Sequence, residues 1–254
     1  MRREFTIQSK VDGLILDGLV VEPEEGVKRT ALLQLSHGMS EYKERYLPFM
    51  EYMAEHGVVC VIHDHRGHGK SVKSEQDLGF MYGAGGVGLV EDLFLVTKWA
   101  KKEYPDLPFV LMGHSMGSYM LRKYLTIHND DLRGAIIMGT GCVPDNTTKL
   151  GINVCKFLAK IFGWHHRSKL VESLSFGGPY KKYDLSGKTL SNSWLTKDED
   201  IVKFYYSEPR CTFKFTLNGY LGLMEAVLYD NQLENVKKVP NKLPIFIVSG
   251  QDDP

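Results

Sequence analysis

Close pairs of cysteines are missing from this sequence. The four present, Cys60, Cys142, Cys155 and Cys211, are scattered. At this length the spacing excludes a disulfide framework or a zinc site and suits buried or incidental thiols in a reducing compartment. Net charge is missing too, because 31 Lys and Arg balance 31 Asp and Glu. A dedicated nucleic-acid binder needs a basic field to draw in phosphates, so that class is set aside. No stretch is long and apolar enough to span a membrane. No apolar segment follows the basic residues of MRREFTIQSK, as it would in a secretory signal. A cytoplasmic protein is therefore expected. There is no internal repeat and no low-complexity segment.

What the chain has is apolar material. Of 254 residues, 43% are hydrophobic. That suffices for one large core, or for a core with an inserted subdomain. EFTIQSK and LILDGLVVEP read as an opening pair of strands around the turn VDG. ALLQLSHG, VVCVIHD, PFVLMGHS and GAIIMG read as buried strands. Helices lie between them. PFMEYMAEHG has Pro48 for a first turn and Gly57 just past the end. LVEDLFLVTKWAKKEYP puts Leu89, Leu93, Val96 and Ala100 on one face, and Pro105 halts it. GSYMLRKYLTIH is the third.

This alternation predicts a mainly parallel α/β sheet with helices on both faces. It breaks after Gly141 and resumes at LPIFIVSG. The expected organisation is a core of residues 1–141 and 239–254, interrupted by a helical lid over 142–238. Ligands of open α/β sheets sit beyond the carboxyl ends of the strands. A lid leaving from that edge would roof the site.

The central motif is Gly113-His114-Ser115-Met116-Gly117, a G-x-S-x-G pattern. Its setting carries more than its letters. A strand ends at Ser115 and a helix begins directly after, so a sharp turn would hold the hydroxyl clear of the sheet. The alternative is a serine that caps a helix. As a nucleophile, Ser115 needs a base, an acid to orient that base, and donors for the oxyanion. The N–H of Met116 is one expected donor. Gly38 in SHGMSE allows a turn that faces the N–H of Met39 inward, which makes it the second.

SHGMSEYKERY, DHRGHGKS, GHSMGS and SGQDDP, in this order, resemble the serine hydrolases of the α/β-hydrolase fold. The monoacylglycerol lipase and lysophospholipase-like group, also classed with serine aminopeptidases, is the most similar branch. SKLVESLSFGGPYKKYD, WLTKDEDIVKFYYSEP and TFKFTLNGYLGL resemble its lid segments. The resemblance covers nearly the whole chain. It implies Ser115 as nucleophile, Met39 and Met116 as the oxyanion hole, and Asp253 as the triad acid. Asp252 competes with Asp253, and the family's acid directly before a proline selects Asp253. The family order is Ser, then acid, then His. It places the base beyond Pro254, so a C-terminally shortened chain lacking one strand, its helix and that histidine is the expectation. His37 and His114 lie near the motifs but are out of order as bases.

Other patterns are weaker. HDHRGH gathers His63, Asp64, His65 and His68, which are metal-ligand types. Read as a continuing strand, it puts His63 and His65 on one face and Asp64 on the other, and it matches a structural loop of the family. No metal and no cofactor is expected. GAGGVG, at 83–88, satisfies a dinucleotide pattern but follows a polar stretch, so it reads as a loop entering a helix. Leu150, Val154, Leu158 and Ile161 form a helical stripe. Such a stripe packs on the protein body, or rests on a membrane surface with basic side chains toward headgroups. Phe157, Phe162, Trp164, Phe176, Tyr205 and Phe213 either line an acyl pocket or build the lid's own core.

The expected activity is hydrolysis of a fatty-acyl carboxylic ester, of monoacylglycerol or lysophospholipid type, through an acyl-enzyme on Ser115. The partners expected are a small acyl ester or lipid, without nucleic acid, and with peripheral membrane contact through the lid as an added option. An aminopeptidase of the same fold would need an acidic site for a free amine, for which Glu172, Glu199 and Asp200 are candidates. A non-catalytic member would reuse the pocket for binding. Acyl length, head group and oligomeric state stay open.

Overall fold

The structure is a computed structural model that describes residues 1–129, 131–176 and 178–253. Among these residues the strands are β1 (Arg2–Gln8), β2 (Ile15–Val21), β3 (Ala31–Ser36), β4 (Val58–His63), β5 (Phe109–His114), β6 (Leu132–Met138) and β7 (Ile245–Val248). The helices are α1 (Leu47–Glu55), α2 (Gly85–Glu103), α3 (Met116–Ile127), α4 (Asp145–Phe162), α5 (Lys169–Phe176), α6 (Glu199–Ser207), α7 (Pro209–Thr212), α8 (Leu217–Asp230) and α9 (Leu233–Val236). The strands form one sheet in the order β1-β2-β4-β3-β5-β6-β7. β4, β3, β5, β6 and β7 run parallel, while β1 and β2 are antiparallel additions at one edge.

Burial explains the apolar runs. β3 and β4 are buried at every residue but the first, as strands covered on both faces must be. On one face α2 presents Leu89, Leu93, Val96 and Ala100, and α3 presents Met120, Leu121, Tyr124 and Leu125. On the other, Met50 and Ala54 of α1 pack on Leu33, Leu35, Cys60 and Ile62. α8 sends Leu217, Tyr220 and Ala226 into the first of these cores, so part of the segment after Gly141 packs with the sheet.

Two features differ from the sequence reading. GAGGVG is not a loop up to the helix, because α2 already begins at Gly85. The glycines serve packing: a Cβ on Gly86 would collide with the backbone of Gly222 on α8. In α4 the buried stripe is Thr148, Ile152, Cys155 and Ala159. Of the four residues read as a stripe, Leu150 and Ile161 point outward, each 58% exposed, while Val154 and Leu158 are half-buried. Leu150 and Ile161 lie off the packed face, whereas Val154 and Leu158 pack against the core at its edge. The period is right, but small side chains on the adjacent face let α4 approach the body there.

Behind the parallel strands lie four buried imidazoles, His37, His63, His65 and His68. β4 stops at His63, so His65 lies beyond the strand, yet its ring still lies 4.9 Å from that of His63. Asp64 does not face them as a ligand. It accepts from the backbone N–H of Lys43 at 2.7 Å, that of Lys70 at 2.9 Å and Lys43 Nζ at 3.1 Å. Burial pushes His63 and His68 down to about 3, and lowers His37 and His65 as well. The sign follows. Unfolded imidazoles take protons below about 6.5 while the folded ones stay neutral, so stability falls as pH drops through that value. His63 and His68, held near 3, each contribute a slope of about 1.4 kcal/mol per pH unit within that window. Urea midpoints are therefore expected to be flat above about pH 7 and to fall steeply from about 6.5 toward 4.5. A midpoint unchanged to pH 5 would contradict this burial.

Candidate active site

β5 ends at His114 and α3 begins at Met116, which leaves Ser115 to make the whole turn. It does so at φ +50° and ψ −118°, a conformation that side chains avoid. Such a residue costs of the order of 1–3 kcal/mol and persists only where its surroundings fix it. Here the Ser115 N–H donates to Met138 O on β6 at 2.9 Å. Its carbonyl accepts from the Ser118 N–H at 2.9 Å and from Ser118 Oγ at 2.6 Å. The flanking glycines make room. A Cβ on Gly113 would strike Gly117 O, and one on Gly117 would strike Ser36 O. Ser115 itself stays half-exposed at the carboxyl edge of the sheet.

The loop after β3 lies against this turn, since a Cβ on Gly38 would sit 3.2 Å from Ser115 Cβ. Met39 follows, half-buried, and Ser40 takes φ +51°. The Met116 N–H is in the first turn of α3, where helix donors have no intrahelical acceptor and favour negative charge. Asp253 follows β7. A Cβ on Gly139 would lie 3.5 Å from Asp253 Oδ2 and 3.9 Å from His114 Nε2. The Asp253 carboxylate and the His114 ring thus both border Gly139. Asp252 turns elsewhere: its Oδ2 is 4.0 Å from Lys197 Nζ and its carbonyl accepts from Tyr183 Oη at 3.1 Å. Ser115, Met116, Met39 and Asp253 therefore gather at the carboxyl ends of β3, β5 and β7. Pro254 lies outside the described residues.

Among the described residues, no histidine is hydrogen-bonded to Ser115 or Asp253. His37 is buried, with Nδ1 2.8 Å from Gly38 O and Nε2 2.9 Å from the His65 nitrogen. His114 Nδ1 is 2.7 Å from Tyr46 Oη. Neither ring is placed to take the Ser115 proton.

Sequence reasoning misses Glu41. This buried carboxylate accepts from the Gly38 N–H, from Tyr46 Oη at 2.9 Å and from Arg45. Burial opposes its charge, but the bond to His114 and the charges of His114 and Arg45 prevail and hold it down at about 2. It holds the Gly38–Met39 loop by the Gly38 amide. The only hint in sequence is an acid three residues after Gly38, too common a spacing to single out.

Residues of 142–238 sit above the same loop. Tyr205 Oη donates to Ser40 O at 3.1 Å, and Ser40 Oγ donates to Phe213 O at 3.1 Å. The Arg45 guanidinium lies 4.9 Å from the Tyr205 ring centre. The aromatics left unsorted by sequence now separate. Tyr205 is buried, Phe176 and Phe213 are half-buried, and Phe157, Phe162 and Trp164 are exposed. Among the described residues no group of three or more His, Cys, Asp or Glu is arranged to hold a metal ion.

Comparison with known proteins bears on the family and the fold. Residues 27–254 match the family model described as serine aminopeptidase, S33. Human monoglyceride lipase is 32% identical over 227 residues, a match covering 88% of this chain and 65% of that protein. The matched part is thus just under two thirds of the human enzyme. A thermostable carboxyl esterase from Bacillus coagulans, solved with glycerol, superposes with a TM-score of 0.84 at 28% identity, covering 96% of this chain and 78% of the esterase. A soluble variant of Saccharomyces cerevisiae monoglyceride lipase, solved with a substrate analog, gives 0.73 at 21% identity, covering 96% and 76%.

Proposed function

The chain belongs to the serine aminopeptidase S33 family and has the α/β-hydrolase fold, and on that premise we propose that it cleaves carboxylic esters of fatty acyl chains through an acyl-enzyme on Ser115. The observation that carries this reading is the strained, half-exposed turn at Ser115 set against the Gly38–Met39 loop. Its hydroxyl attacks the ester carbonyl, and the N–H groups of Met39 and Met116 receive the oxyanion. Asp253 orients a base histidine, which the family order places after it in the chain.

Monoacylglycerol or lysophospholipid is the proposed substrate type, with residues 142–238 as the lid. The relatives named as monoglyceride lipases support a lipid ester. Leu150, Phe157, Ile161 and Phe162, all exposed on α4 among Lys149, Lys156 and Lys160, support contact with a lipid surface. The absence of a membrane-crossing helix among the described residues accords with peripheral contact. An aminopeptidase has less support. Glu172 is already paired with Lys214 at 2.8 Å and Glu41 with Arg45, and Glu199 and Asp200 lie in solvent at the start of α6, a surface helix.

A panel of p-nitrophenyl esters, monoacylglycerols, lysophospholipids and aminoacyl p-nitroanilides tests the reading, with acyl esters offered both in micelles and on vesicles. Acyl esters are expected to be preferred, more so on vesicles. Preference for the anilides would establish the aminopeptidase. A folded, full-length protein inert to the panel and to fluorophosphonate would be a non-catalytic binder.

A further inference from the structure

His37 has no part in the proton shuttle, yet it is fully buried between β3 and the oxyanion loop. Its Nε2 lies 2.9 Å from the His65 backbone nitrogen. A backbone N–H only donates, so Nε2 is the acceptor and carries no proton. The proton of the neutral ring is then on Nδ1, which lies 2.8 Å from the carbonyl oxygen of Gly38. Burial lowers the ring's proton affinity and keeps it neutral, so this tautomer persists.

Gly38 O belongs to the same peptide unit as the Met39 N–H. That peptide is trans. In a trans unit the carbonyl and the N–H point in opposite directions within one plane. Gripping the oxygen on one side therefore aims the N–H on the other. Glu41 takes the N–H of Gly38, so that glycine is held at both its amide and its carbonyl. Without the imidazole, the Gly38–Met39 plane is free to rotate, because a glycine on its amino side offers no Cβ to resist.

We propose that His37 is a positioning residue whose Nδ1–H, bonded to Gly38 O, directs the Met39 N–H toward the oxyanion. This rests on the acyl-transfer reading of Ser115. The effect is carried through the peptide, and His37 does not touch substrate.

Three variants test it. His37→Asn keeps a donor at the position of Nδ1, whereas His37→Gln moves its polar atoms out to the position of Nε2 and His37→Ala removes both. In Gln and Ala, kcat for p-nitrophenyl esters and the fluorophosphonate inactivation rate are expected to fall by about 10²–10³, the effect of losing one oxyanion donor, with KM nearly unchanged. The Asn variant is expected to recover most of that loss. Equal loss of stability in Asn and Gln with unchanged kcat in the folded fraction would overturn the proposal and leave His37 as packing. Histidine nitrogen NMR gives a reading independent of turnover. His37 is expected to be neutral and protonated on Nδ1 at about pH 7 and above; an Nε2–H tautomer would overturn the proposal. Should Ser115→Ala keep full turnover, the acyl-transfer reading fails on that control, while the NMR result still judges the His37 bond.

Discussion

Replacing Ser115 with alanine is expected to abolish fluorophosphonate labelling and to cut ester turnover in the full-length protein by on the order of 10⁴-fold or more. Neighbouring hydroxyls offer no substitute. Ser36 Oγ is buried against His65 Nε2 at 3.0 Å. Ser118 Oγ is spent on Ser115 O, and Ser40 Oγ on Phe213 O. The loss should be chemical and not structural. Alanine keeps a Cβ at the same positive φ, and among the described residues no hydrogen bond of the Ser115 hydroxyl holds the turn. Thermal stability is expected to shift by less than about 1 kcal/mol. Ser115→Gly should instead gain stability, by up to about 1 kcal/mol, because glycine relieves the strain at φ +50°. Measuring labelling and melting on both variants separates chemistry from fold. Turnover that survives in Ser115→Ala would remove the nucleophile from the account.

The second large effect concerns two adjacent aspartates. Asp253→Asn is expected to lower kcat by about 10⁴, because an amide in place of the orienting carboxylate favours the wrong imidazole tautomer. Asp252→Asn is expected to change kcat by less than about threefold. Geometry separates the pair. Asp253 Oδ2 lies against Gly139, which the His114 ring also borders. Asp252 faces Lys197 across 4.0 Å, with both side chains largely in water, where such a pair contributes little. Single-turnover acylation and deacylation rates on both variants are the measurement. A larger loss in Asp252→Asn would reassign the acid.

Much of this arrangement is legible in the sequence because it is local. GHSMGS encodes a strand, a one-residue turn and a helix, and glycines at 113 and 117 state how close the backbones come. The alternation of apolar runs with amphipathic helices gives the parallel sheet up to Gly141. What sequence hides are contacts between distant segments. Glu41 beneath Gly38, Tyr205 over Ser40 and α8 against α2 join residues whose pairing no spacing records. α4 shows a second limit. The stripe read from sequence is split: Val154 and Leu158 pack against the core, Leu150 and Ile161 face outward, and the buried face is centred on Ile152 and Cys155. Periodicity identifies a helix but does not say which face finds a partner. GAGGVG shows a third, because glycine marks both flexible loops and tight helix contacts, and only the presence of Gly222 decides between them.

The central claim is geometric: one hydroxyl on a strained turn, facing two backbone N–H groups. A crystal structure of the full-length protein after reaction with a fluorophosphonate tests it most directly. The account predicts phosphorus bonded to Ser115 Oγ, with one phosphonyl oxygen about 2.7–3.1 Å from both the Met39 and Met116 nitrogens. An adduct on another residue, or an oxygen on Ser115 held by solvent with the Met39 N–H turned away, would contradict it.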